Sequence, residues 1–114
     1  GGGVMALQLA ARVGDGTPIR KIVMTGTPID VNAWTQANGY SELTLENYAD
    51  SLRDLAARSV PVFALFGDLD TVVSESYMGG AAEAGLSIQA RVLTNTSHGQ
   101  LAISETTLKI LLEP

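Results

Sequence analysis

The sequence predicts an α/β fold, a parallel β-sheet of about three strands flanked by about four helices. Three observations carry that expectation. Segments of helical period and segments of strand length alternate along the whole chain. One of them, Val60–Phe66 (VPVFALF), is apolar at almost every position, as suits a strand buried on both faces of a parallel sheet. Each strand-like segment also runs out into glycine and polar residues, the composition of loops above a sheet edge.

Residues Val4–Val13 (VMALQLAARV) are apolar nearly all round, the pattern of a buried helix, and Gly14, Gly16 and Pro18 stop it. Ile19–Thr25 (IRKIVMT) is short and rich in β-branched residues, and Gly26-Thr27-Pro28 closes it as a strand. Residues 27–43 lack a clear period and read as a loop with room for one short helical turn. Thr44–Arg58 restores helical order. Leu45, Tyr48, Ala49, Leu52, Leu55 and Ala56 share one face, Thr44 stands as N-cap, and Glu46, Asp50 and Asp54 form a solvated acidic face. After the strand at Val60–Phe66, Glu75–Ala84 reads as a helix weakened by Gly79-Gly80. Ser87–Thr94 (SIQARVLT) is a third, alternating strand. Ser104–Leu112 is a last helix with Leu108, Leu111 and Leu112 expected inward.

Composition removes several classes of function. The 114 residues are 46% hydrophobic and 17% charged, which suits one packed domain and not a disordered chain. Seven basic against twelve acidic residues leave a net charge of −5 with no basic run, so nucleic acid is not an expected partner. The absence of cysteine removes disulfides, thiolate metal sites and a cysteine nucleophile, and a single histidine removes a multi-histidine metal site. No apolar run is long enough to span a bilayer. No secretory signal opens the chain, and the compartment stays open. Gly1-Gly2-Gly3 running straight into a helical pattern reads as a trimmed, processed or engineered start. A phosphate cradle at these glycines is disfavoured, because no strand and no fingerprint precede them. Met5, Met24 and Met78 are most simply core.

In a parallel sheet, ligands gather at the carboxyl ends of the strands. Here those exits carry Thr25-Gly26-Thr27, Gly67-Asp68-Leu69-Asp70 and Asn95-Thr96-Ser97-His98. An aspartate and the only histidine therefore lie on adjacent exits of one edge. Such a carboxylate can hold an imidazole in one tautomer and stabilise its protonated form; ordinary loop polarity is the plainer alternative.

Three segments, in order, resemble the C-terminal half of an α/β-hydrolase-fold enzyme of the serine esterase and lipase kind. SLRDLAARSVPVFALFGDLDTVVS is similar to that family's helix, its strand ending in Gly-x-x-Asp, and a Val-Val stretch. RVLTNTSHGQLAIS is similar to its final strand and histidine loop. GGGVMALQLAARV is similar to the helix directly after the nucleophile elbow, and IRKIVMTGT to the strand after that helix. The resemblance spans essentially all of residues 1–114. It implies a partial α/β-hydrolase fold, with Asp70 as triad acid and His98 as triad base; Asp68 is the neighbour outside the motif and should point elsewhere. It makes residues 27–43 a short lid-like insertion, with Trp34 and Tyr40 as candidate lining of a substrate pocket. It implies a small ester-type substrate and neither metal nor organic cofactor.

The family's G-x-S-x-G nucleophile elbow is absent. The nearest string, Gly39-Tyr40-Ser41-Glu42-Leu43, lacks the second small residue and follows a loop, so Ser41 is read as a turn or cap residue. The chain alone is therefore expected to be inactive. It is expected to pair through the Ile19–Thr25 edge with a complementary N-terminal half or with a copy of itself. The reading from a different class is a non-catalytic α/β binding or interaction module in which Asp70 and His98 are incidental.

Overall fold

A computed structural model describes residues 3, 6, 9, 10, 12, 13, 18–40, 48–78 and 88–114. Three strands, β1 (Ile22–Thr25), β2 (Val62–Gly67) and β3 (Ile88–Leu93), form one parallel sheet in the order β1-β2-β3. The register aligns Ile22 with Val62 and Val62 with Ile88. Parallel neighbours need long crossovers, which here hold helices α1 (Val31–Ala37) and α2 (Tyr48–Ala57) and a 3₁₀ segment at Glu75–Met78. A second 3₁₀ segment, His98–Ile103, leads into the last helix, α3 (Glu105–Leu112).

Alternation along the strands divides the core between the two faces of the sheet. Ile22 and Met24 of β1 and Val62, Ala64 and Phe66 of β2 pack on one face with Leu55 of α2 and Ala10. Residues 3, 6, 9, 10 and 12 are helical, so an amino-terminal helical segment shares this face with α2. Leu65 and Leu93 pack on the other face with Leu101 and Ile110, and Val23 and Phe63 join them. β2 is thus covered on both sides, as its unbroken apolar run predicts.

Side chains tie the elements together where backbone groups would lack partners. The Arg58 guanidinium donates to the Ala10 carbonyl at 2.8 Å and pairs with Asp54 at 3.2 Å, joining the end of α2 to the amino-terminal segment. The Lys21 ammonium donates to the Ile110 carbonyl at 2.7 Å and to that of Glu113, satisfying the carboxyl end of α3.

Two expectations are corrected. Residues 27–40 are an anchored segment with a two-turn helix, capped by Asp30, whose carboxylate accepts the Ala33 amide at 3.0 Å. The Tyr77 carbonyl accepts the amides of both Ile29 and Asp30, and Ile29, Val31 and Thr35 are buried. On α3 the inward residues are Thr107 and Ile110; Leu108, Leu111 and Leu112 lie on the exposed side. The Thr107 hydroxyl donates to the Leu101 carbonyl at 2.6 Å, so a polar side chain turns the helix inward on that face. The N-cap read at Thr44, the acidic residue Glu46, Ser41 and the helical stretch read over 79–84 lie outside the described residues. Among the described residues, no helix is long and apolar enough to cross a membrane.

Candidate active site at the carboxyl edge of the sheet

The three strands point the same way, so their exits meet at one edge. The β2 exit turns tightly, with the Asp70 amide donating to the Gly67 carbonyl at 3.1 Å. This carries the Asp70 carboxylate back under the loop, where its side chain is fully buried. Oδ1 accepts the amides of Val72 at 2.7 Å and Val73 at 2.9 Å. Oδ2 lies 2.7 Å from His98 Nδ1, across the gap between the β2 and β3 exits. Burial alone would raise the Asp70 pKa. The Val73 amide, the His98 ring and the Val72 amide outweigh that effect and hold the carboxyl below its ordinary value.

An ionised carboxylate can only accept, so its bond to Nδ1 assigns the ring proton to Nδ1 and leaves Nε2 as an acceptor. The His98 side chain is 41% exposed. Ser97 and Gln100 fix its loop, since the Gln100 side-chain oxygen accepts from both the Ser97 amide and the Ser97 hydroxyl at 3.0 Å. The result is an oriented base with one open nitrogen, backed by a buried acid.

The β1 exit contributes a residue that sequence reading placed at a strand exit and gave no role. Gly26 has φ +57°, and a Cβ there would stand 2.6 Å from His98 Cε1, 2.7 Å from Nδ1 and 3.3 Å from Asp70 Oδ2. Only glycine allows the imidazole to seat against this turn. The signal was present in Gly26-Thr27-Pro28, a glycine on the strand exit beside the two that carry the acid and the base.

His98 lines an open cleft of about 400 Å³ together with Gly3, Ala6 and the β1 stretch from Val23 through Thr27. Trp34 and Tyr40 are elsewhere. Trp34 is half-buried against the core and donates its indole N–H to the Val72 carbonyl at 2.7 Å, bracing the acid loop from outside. Tyr40 is exposed and stacks on Trp34, with ring centroids 5.6 Å apart. The structure thus brings Asp70 and His98 together, and sets the Trp34–Tyr40 pair behind the acid loop without lining the cleft at His98.

The edge of β1 forms one wall of that cleft. The Ile22 amide donates to the Pro61 carbonyl at 2.9 Å and the Gly26 amide to the Leu65 carbonyl at 2.8 Å. Alternation in a parallel ladder then turns the N–H and C=O groups of Val23 and Thr25 to the opposite side. Among the described residues no strand lies there. No protein-family model matches the chain, and no curated protein matches its sequence.

Proposed function

We propose that this chain is the C-terminal portion of a serine hydrolase of the α/β-hydrolase kind that cleaves carboxylic esters and supplies the acid and base of its triad. The observation that carries the reading is the 2.7 Å bond between the buried Asp70 carboxylate and His98 Nδ1, with Nε2 left to take a proton. In the reaction His98 Nε2 accepts the proton of a serine hydroxyl as that oxygen attacks the ester carbonyl. It returns the proton to the alkoxide that leaves, and the same exchange with water then releases the acyl group. Asp70 keeps the ring oriented and stabilises the imidazolium. The resemblance assigns the serine and the backbone oxyanion donors to residues outside this chain, with the serine just ahead of the opening glycines.

Two features support that assignment. Gly3 walls the same cleft as His98, on the stretch that the resemblance makes the helix following the serine. The β1 edge also turns alternate backbone groups away from β2, where a further parallel strand can pair. Its occupant in this reading is a complementary N-terminal half or the corresponding strand of another copy.

The test is a small activated ester and a fluorophosphonate probe. The protein comprising both halves hydrolyses the ester and takes the label on its serine; this chain alone does neither. In the protein comprising both halves Asp70→Asn lowers turnover ~10⁴-fold and His98→Ala ~10⁶-fold. Labelling of a serine within this chain overturns the placing of the nucleophile outside it, and full turnover by His98→Ala overturns the triad. Absence of both turnover and label in the protein comprising both halves leaves a binding module.

A further inference from the structure

We infer that Asp68 is a positioning residue that clamps the histidine loop to the acid loop and so sets the Asp70–His98 bond. The inference stands on the geometry of that pair and not on the bond the protein cleaves.

The two loops leave β2 and β3 side by side, and three backbone features zip them together. The Asp68 amide donates to the Leu93 carbonyl, and the Leu69 amide to the Thr96 carbonyl, each at 3.0 Å. Gly67 packs so closely on Thr96 that a Cβ would collide with its carbonyl oxygen. The Asp68 carboxylate adds the fourth tie, accepting the Thr96 amide at 3.0 Å. The amides of Asn95 and Thr96 hold the Asp68 carboxyl below its ordinary value, so it is ionised and an acceptor at neutral pH.

This tie acts where the backbone most needs holding. Asn95 has φ +57°, a left-handed conformation that asparagine tolerates and that still costs energy outside glycine. The turn at Asn95 redirects the chain from β3 toward His98, three residues on. The Asp68 carboxylate grips the amide next to the strained residue, and in its absence Asn95 is free to relax. A displacement of about 1 Å is enough to uncouple a catalytic pair. Asp70 holds the imidazole directly, and Asp68 holds the loop that delivers it.

The test reads the ring itself. In the protein labelled with ¹⁵N-histidine, His98, the only histidine of this chain, reports which ring nitrogen carries its proton. The wild type shows one tautomer, protonated at Nδ1, with a slowly exchanging Nδ1 proton. Asp68→Ala loses most of that proton signal and mixes the tautomers. Asp68→Asn keeps an acceptor oxygen and retains the wild-type ring. Asp68→Ser, whose hydroxyl ends short of the carboxylate oxygens, is the milder second variant and gives the same loss. Adding Asn95→Gly to either variant relieves the left-handed residue and restores the signal. Ser104→Ala, which removes the side-chain cap of α3 and no contact to the pair, lowers stability without changing the ring. A folded Asp68→Ala or Asp68→Ser protein with the wild-type ring spectrum overturns the inference. So does a loss that Asn95→Gly fails to restore.

Discussion

Gly26 shows how a single missing carbon makes room for the pair. Alanine there meets two penalties: a left-handed backbone, and a methyl within 2.7 Å of the imidazole ring that packs against it. Strain of this kind costs about 1–3 kcal/mol, and the ring cannot keep its bond to Asp70 while the methyl is present. Gly26→Ala should therefore unfold at lower denaturant and lose the Nδ1 proton resonance of His98. An unchanged resonance would mean that the β1 exit yields and the ring stays. Acid should act through the neighbouring carboxylate. The Asp70 pKa is lower in the folded protein than in the unfolded chain. Its contribution to stability is thus complete above the ordinary carboxylate pKa of about 3.9 and disappears as pH falls through the depressed folded value. Denaturation midpoints at descending pH should fall across that window, and Asp70→Asn should flatten the decline. Asp70 and His98 were legible in the sequence because each ends a recognisable strand. Gly26 and Asp68 were passed over because their roles depend on distances between loops that sequence order does not give.

At the scale of elements, burial decides what periodicity leaves open. The apolar run of β2 belongs to the centre of the sheet, and its burial on both faces follows from composition alone. α3 is different: Leu108, Leu111 and Leu112 share one side by spacing, yet Thr107 and Ile110 face the sheet. Both sides carry enough apolar surface to serve, and hydrogen bonds to the threonine hydroxyl select between them. Ile110→Ala should cost about 2–5 kcal/mol, the range for truncating a buried aliphatic side chain. Leu112→Ala, at a residue 83% exposed, should change stability by less than about 0.5 kcal/mol. Thermal or urea unfolding of the two variants checks both; equal losses would show that the exposed side of α3 is covered in solution. Residues 27–40 teach a related lesson. Their lack of period hid a short helix whose stability comes from the Asp30 cap and the Tyr77 carbonyl, both invisible to a hydrophobic pattern.

For the whole molecule, the edge of β1 carries the prediction, since among the described residues no strand pairs with it on the side away from β2. Hydrogen exchange gives the edge a residue-level test. While that edge is unpaired the amides of Ile22 and Gly26, bonded to β2, should exchange slowly, and those of Val23 and Thr25 quickly. With the proposed complementary half or another copy paired to that edge all four should be slow, and sedimentation should show that the chain alone does not persist as a monomer. Equal protection of Val23 and Ile22 in a stable monomer would favour the self-contained module. The sequence by itself determined the α/β class, the three strands and the polar exits that carry Asp70 and His98, because hydrophobic period and turn chemistry are local properties. Only the tertiary structure decided that Asp70 Oδ2 meets Nδ1 at 2.7 Å, that Gly26 makes room for the ring, and that Asp68 ties the two loops. Those facts depend on the sheet's parallel register, which sets residues nearly thirty positions apart at hydrogen-bond distance.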